Sequence, residues 1–218
     1  MNMLKTVLVI VLSTAALGAT YASVAQSVQH RTVAPFSAIA LNGMGTVNIH
    51  QGPQSVVVTV DESVIDRYET IVQNGTLNVG FGCTFSLKML RAMKHLEHCT
   101  VDITVPDLER ISVNGSGKLV VDSFSGDSLR IDITGAGTVV FAGSCDDLEV
   151  NCTGSAIFKG NELQSKNAKI SSTGAANIQV KVEENLSVKI SGAGDVTYWG
   201  NPRITQRISG AGSLHHGI

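Results

Sequence analysis

A short turn of small residues returns every 18 to 20 residues through the second half of the chain. Each copy is Gly-x-Gly or a close variant, and the residue before it is Asn, Thr or Ser. A repeat of this length predicts a solenoid, because one strand-turn-strand unit cannot bury its apolar side alone and must stack on its neighbours. The first glycines of the copies are Gly115, Gly135, Gly154, Gly174, Gly192 and Gly210.

Inward and outward residues alternate on both sides of each turn, as at Leu129, Ile131 and Ile133 before one turn and Val139 and Phe141 after it. A period of two is typical of strands with one buried face. The sequence therefore predicts an all-β fold, a right-handed parallel β-helix with rungs of 18–20 residues, since parallel crossovers are usually right-handed. A left-handed solenoid of 18-residue coils is the alternative, because apolar residues sometimes recur at a spacing of six.

Small corner residues are predicted wherever two strands of one rung meet. A sharp bend repeated in every rung requires positive φ or close backbone approach, and glycine supplies both. An earlier copy of the turn extends the pattern toward the N-terminus, ahead of irregular strands expected at 55–60, 69–73, 77–79 and 100–105. The predicted corner glycines are Gly43, Gly45, Gly115, Gly117, Gly135, Gly137, Gly154, Gly174, Gly192, Gly194, Gly210 and Gly212.

The N-terminal residues predict export. Lys5 precedes a short apolar run that ends in small residues with Ala at the third place of each candidate cleavage site, which is the pattern of a signal peptide over residues 1–25. The run is shorter than the roughly 20 apolar residues that span a bilayer. We expect a periplasmic, secreted or cell-surface protein with one domain over residues 30–218, regular repeats at 110–214, and no integral membrane segment after cleavage.

One segment interrupts the strand pattern. Residues 83–99 carry apolar side chains at helical spacing, which predicts a short amphipathic helical insertion. Cys83 and Cys99 flank it, and a disulfide between them suits an oxidising compartment. For Cys145 and Cys152 the sequence leaves two interpretations open, a second disulfide or two buried free thiols.

The residue before each turn forms a polar column when the rungs are stacked, about 4.8 Å per step. One interpretation is a hydroxyl face that binds carbohydrate. The other is that these short side chains hydrogen-bond the adjacent turn. Neighbouring outward columns mix charges and resemble a solvated face. The column consists of Asn114, Thr134, Thr153, Thr173, Ser191 and Ser209.

Composition and spacing argue against several functions. The 16 basic and 18 acidic residues are balanced, which argues against a nucleic-acid partner. Carboxylates are spread over different sides, and no Cys/His spacing suits zinc, so no catalytic residue, metal or cofactor is predicted. His215 and His216 are interpreted as a solvated tail. We therefore expect a non-enzymatic interaction module for an unknown surface glycan or protein; a carbohydrate-active β-helix protein is the alternative.

Three stretches beyond the turns are similar to the GIN-domain family. They are Phe36–Val47 at the start, Val105–Glu109 before the repeats, and Asp195–Pro202 near the end. The resemblance covers about residues 33–214. It implies a secreted bacterial β-helix domain described as the head of autotransporter adhesins, with adhesion as the expected function.

The last rung, Ile208 to Leu214, has no evident polar cap. An uncapped solenoid end leaves unpaired strand edges, which readily pair with another chain. Self-association through the ends is therefore a further expectation.

Overall fold

The computed structural model describes residues 26–81 and 99–217. The predicted signal peptide and the predicted helical insertion, apart from Cys99, lie outside the described residues. Within them the helical element is one 3-10 turn, Ile65–Arg67. The strands are β1 Gln26–His30, β2 Ala38–Gly43, β3 Thr46–Gln51, β4 Ser55–Asp61, β5 Tyr68–Gln73, β6 Thr76–Phe81, β7 Thr100–Val105, β8 Arg110–Gly115, β9 Lys118–Val121, β10 Ser125–Gly135, β11 Thr138–Gly154, β12 Ile157–Gly174, β13 Asn177–Gly192, β14 Asp195–Trp199, β15 Arg203–Gly210 and β16 Ser213–His216.

The repeats form a parallel β-helix, as the alternation of residues predicts. Its first side contains the strand segments that end at the corner glycines, in the order β5-β6-β2-β8-β10-β11-β12-β13-β15. The second side contains the segments that follow the corners, in the order β1-β4-β7-β3-β9-β11-β12-β13-β14-β16. The long strands β11, β12 and β13 run through all three sides of their rungs.

The third side is short and carries the differences in rung length. Ser125 pairs with Ser144, which pairs with Gln164, which pairs with Lys181. The register shifts between Gly160 and Gln164 and again just after Ser165. This agrees with the sequence, in which the one- and two-residue differences between repeats lie there.

The inward side chains of the rungs form one continuous core. Ile111, Ile131 and Val150 lie in register on the first side and are fully buried. Phe141 and Phe158 fill the same core from the second side. A parallel strand pair has the same register in every rung, so equivalent apolar residues stack on one another along the whole rod.

The first glycine of each corner is required by its backbone. These glycines have φ between +104° and +128°, a region that L side chains rarely adopt. A Cβ on Gly154 would also lie 2.5 Å from the carbonyl oxygen of Gly135 in the preceding rung. The next residue, Ser155, donates its backbone N–H to that same oxygen at 2.9 Å. The corners are therefore hydrogen-bonded to one another as closely as the strands.

Except at Gly45, whose φ is +121°, the second corner position needs a small side chain rather than positive φ. Gly137 has no left-handed φ, and a Cβ there would lie 2.7 Å from the Val113 side chain. Ala156 and Ala176 occupy this position in two other rungs and are buried. The predicted corner glycines thus divide into two classes, one set by backbone conformation and one by space inside the rod.

The N-terminal end of the rod is closed by antiparallel strands. On the second side β4 pairs with β7 and β1 pairs with β4, both antiparallel, and on the first side β5 pairs antiparallel with β6. The connection from β4 to β5 crosses the end and buries Val64 and Ile65. The strands expected at 55–60, 69–73, 77–79 and 100–105 correspond to β4, β5, β6 and β7, whose antiparallel pairing was not predicted.

The two classes of corner position predict different costs of mutation. Gly154→Ala places an L residue at φ +111° and against a backbone oxygen, so we expect it to lower the free energy of unfolding by at least about 2 kcal/mol. Ser155→Ala, in the same turn, is the control and should change it by less than about 0.5 kcal/mol. Urea unfolding of both variants measures this. Equal stability of the two variants would contradict the role given to the first glycine.

Candidate functional site

The polar column before the corners lies on the outer surface of the first side. Its members are in register from rung to rung, and all six are exposed. Asn42 continues the column by one rung, and the Asn114 side-chain amide donates a hydrogen bond to the Asn42 amide oxygen at 3.0 Å. That bond runs along the column, between side chains, instead of to a turn.

A chain of ion pairs crosses the rungs beside this column. Asp132 accepts from the Arg110 guanidinium at 2.6 Å and from Arg130 Nε at 3.1 Å. Arg130 also contacts Glu149 at 3.0 Å, and Glu149 contacts Lys169 Nζ at 3.1 Å. The residues come from four consecutive rungs, so the alternating charges link the rungs on the outside of the rod.

The same contacts set the protonation of the two carboxyls. Partial burial raises the pKa of Asp132, but hydrogen bonds from Arg130, Asn151 and Arg110 outweigh it and hold that pKa below its usual range. The hydrogen bond from Lys169 is the main reason that the pKa of Glu149 is also lowered. Both side chains therefore stay ionised at neutral pH and serve as fixed hydrogen-bond acceptors.

A second row of polar side chains lies at the start of the same strand segments. Asp147 accepts a hydrogen bond from the Asn167 amide at 3.0 Å, and Asn167 accepts one from the Asn185 amide at 2.7 Å. Arg203 is next in register after Asn185. This row is an amide ladder along the rod, in which Asn167 both donates to Asp147 and accepts from Asn185.

A groove of about 550 Å³ runs along the rod between these rows. It spans five rungs from β10 to β15, which corresponds to a length of about 20 Å. Its polar wall includes Asp147, Glu149 and Arg203, and its floor includes Leu148 and Leu186. The sequence predicted a solvated face here; the structure places a groove beside the charged column, and its lining contains no aromatic ring.

The sequence comparison identifies the family. A family model described as "Putative auto-transporter adhesin, head GIN domain" matches residues 35–202. The chain belongs to the GIN-domain family. The resemblance stated from the sequence is thus confirmed. Among proteins with curated descriptions, none matches this chain.

Solved structures share the fold of this GIN domain. A putative adhesin from Bacteroides fragilis has a TM-score of 0.72 at 18% identity over 88% of this chain and 96% of its own. A putative adhesin from Parabacteroides distasonis has a TM-score of 0.54 at 18% identity over 89% and 98%. A putative lipid binding protein from the same species has 0.55 at 17% identity over 88% and 97%.

The remaining candidate residues of the GIN domain do not form a site. No group of three or more metal-ligating side chains occurs among the described residues. His215 and His216 are exposed, as expected, but they belong to strand β16 rather than to a tail. The His216 ring contacts Tyr198, and its Nε2 lies 3.0 Å from the Gly200 carbonyl oxygen. Over residues 26–81 and 99–217, no helix has the length and apolarity to cross a membrane.

The described cysteines are buried free thiols. Cys152 lies in the core in register with Ile133, as its position in the repeat predicts, and Cys145 lies on the third side. Of the two interpretations that the sequence left open for Cys145 and Cys152, the structure supports two buried free thiols. No disulfide is found among the described residues, and Cys99 has no disulfide partner among them. Because Cys83 lies outside these residues, the Cys83–Cys99 disulfide stays a prediction.

Burial makes these thiols poor nucleophiles. It raises the pKa of Cys145 and of Cys152 to about 12, so the reactive thiolate is scarce at neutral pH. We expect both to resist alkylation by iodoacetamide at pH 8 in the folded protein and to react fully in guanidinium chloride, as read by peptide mass spectrometry. Rapid labelling of Cys152 in the folded state would show that the core is open there.

The ion pairs on the first side predict a loss of stability in acid. Because the folded-state pKa of Asp132 is lowered, its contribution is present above the unfolded pKa near 4 and disappears as pH falls through the folded value. Asp132→Asn should therefore flatten the dependence of unfolding free energy on pH between about pH 2 and 5. Asp127→Asn, an exposed carboxyl on the third side, is the matched control. An unchanged slope in Asp132→Asn would contradict the assignment.

Proposed function

We propose that this GIN domain is a non-catalytic, adhesin-like interaction module that is exported to the cell envelope and binds a glycan or protein on its first side. Two solved structures with the same fold are those of putative adhesins, and the family is described as the head domain of a putative adhesin. The signal-peptide pattern of residues 1–25 supports export. The observation that carries the proposal is the groove, with its rows of polar side chains fixed by contacts from rung to rung.

The groove suits recognition of an extended polar ligand. Side chains already held by neighbours lose little conformational entropy when a ligand binds, which favours affinity. Asp147, Asn167 and Asn185 offer acceptors and donors at the rung spacing, and Lys169 and Arg203 supply positive charge. A ligand with regularly spaced hydroxyl or carboxylate groups, such as a surface glycan, would match this arrangement.

The electrostatics favour binding over hydrolysis. A glycosidase needs one carboxyl whose pKa is raised so that it can donate a proton to the leaving group. In this groove the pKa of Glu149 is lowered, and basic side chains hold it ionised. Glu149 is therefore a poor general acid, which supports a binding role.

A glycan array tests the proposal. The purified protein is applied to bacterial and host glycans, and release of reducing sugar is assayed for each glycan that binds. The combined variant Lys169→Ala and Arg203→Ala should weaken binding by about tenfold or more, because it removes the charged groups of the groove. Lys159→Ala and Gln179→Ala, on the outer surface of the second side, form the matched control and should bind like the parent.

Three results would contradict the proposal. Sugar release that is lost with Glu149→Gln would show a carbohydrate-active enzyme. Equal losses in the groove variant and in the second-side variant would place the ligand elsewhere. Absence of binding to every glycan, together with absence of binding to envelope proteins in a pull-down with the parent and groove variants, would remove the interaction role.

A further inference from the structure

The C-terminal end of the rod is an open strand edge. Strand β15 pairs with β13 on one edge, and no described residue pairs with its other edge. All eight of its residues are exposed. The inward-facing Ile204 and Ile208 are 39% and 37% exposed, whereas their counterparts one rung earlier, Leu186 and Ile190, are each 1% exposed. An apolar core layer therefore ends in solvent.

The opposite end differs, because it carries a cap. The connection from β4 to β5 covers that end and buries Val64 and Ile65. Solenoids need such caps because an unfinished rung exposes both apolar side chains and backbone hydrogen-bonding groups. A partner that binds the C-terminal end must therefore complete a rung there. The capped N-terminal end offers such a partner no equivalent open layer.

The rest of this chain is poorly placed to act as that cap. Phe81 and Cys99, which flank residues 82–98, lie at the capped end, at the end of β6 and next to the start of β7. Seven strand spacings separate β6 from β15, about 34 Å, so a return path needs about 68 Å. Seventeen residues span at most about 60 Å. Residues 1–25 are the predicted signal peptide, which export removes.

We propose that the occupant is a second copy of this chain, related by a twofold axis, with β15 of the two copies paired antiparallel. Rotation by 180° about an axis perpendicular to the first side reverses the direction of the strand and of the rod but leaves the buried face inside. The first sides of the two copies therefore form one continuous sheet. The interface is then isologous, and the two open core layers cover each other.

The sequence of β15 fits this pairing in one register. With the axis at Gln206, Ile204 lies opposite Ile208 of the partner subunit, and the two Gln206 side chains meet at the centre as an amide pair. On the outer face Arg203 lies opposite Ser209 and Arg207 opposite Thr205, so no two arginines are directly opposed. Like charges directly opposite each other destabilise a strand pair, and this register avoids them.

The neighbouring registers are worse. An axis at Thr205 places Arg203 opposite Arg207 and each Ile204 opposite an amide side chain. An axis at Arg207 opposes the two Arg207 side chains directly. A register shifted by one residue would place inward-facing side chains opposite outward-facing ones, which the pleat of the sheet excludes. Among self-pairings of β15, its composition therefore favours the register with the axis at Gln206.

Analytical ultracentrifugation of the purified protein tests the dimer. We expect the mass of two chains at about 0.1 mM, a concentration at which small interfaces still associate. Gln206→Lys places two charges together at the axis and should give one chain mass. Its thermal midpoint should equal that of the parent when both are measured at a concentration low enough for the parent to be a single chain, because residue 206 is exposed there. Ser187→Lys, on the first side one rung earlier, is the control and should stay dimeric.

Cysteine pairs test the register independently of affinity. Thr205→Cys mixed with Arg207→Cys should form a mixed disulfide on mild oxidation at least tenfold faster than Ser187→Cys mixed with Arg207→Cys. A single chain mass for the parent at 0.1 mM, species larger than two chains, or crosslinking as efficient from Ser187 as from Thr205 would each overturn the proposal.

Discussion

The hydrogen bond from each corner to the corner below it is the interaction on which the rest of this structure depends. Positive φ at the first glycine turns its carbonyl oxygen along the rod, where the backbone N–H of the following rung can reach it. The absence of a Cβ leaves room for that approach. The contact recurs at each corner from Gly115 to Gly192, and at the last corner the N–H of Gly212 donates to the Gly192 oxygen instead. Rungs of 18, 19 and 20 residues therefore keep one register along most of the first and second sides, and length differences are confined to the third side and its junction with the second.

Because the register is fixed, residues that recur at one position of the sequence repeat lie next to one another on the surface of the rod. Outward residues at the same offset from a corner become columns about 4.8 Å apart per rung, and this spacing places acids next to bases from one rung to the next. Glu149 joins Arg130 to Lys169 in this way, and Asn167 joins Asp147 to Asn185. The ligand surface proposed for this GIN domain is therefore a consequence of the corner geometry, with no loop or insertion needed to build it.

Much of the fold was predictable from sequence, because the corner and the alternation are local signals. Inward placement of Cys152 and the register of the column from Asn114 to Ser209 follow directly from counting residues back from each glycine. The antiparallel cap was not predictable in the same way. Gly43 lies directly below Gly115 although 72 residues separate them, and no periodic signal spans the excursion that forms β4, β5, β6 and β7. The groove was also missed, because it is formed jointly by side chains from five rungs and no local pattern gives its shape. The amide ladder of Asp147, Asn167 and Asn185, in contrast, was readable at a constant offset before the corners.

Amide hydrogen exchange at the corners is the most direct test of this account. Ala136, Ser155 and Ala175 are exposed residues in turns, where fast exchange is the ordinary expectation, yet each donates its backbone N–H to a glycine carbonyl of the preceding rung at 2.9 Å. We expect protection of these three amides similar to that of the buried Ile131 and Val150 in the adjoining strands. Exchange at the rate of an open loop would show that the corners are not bonded from rung to rung, and would contradict the claim that they hold the register of the β-helix.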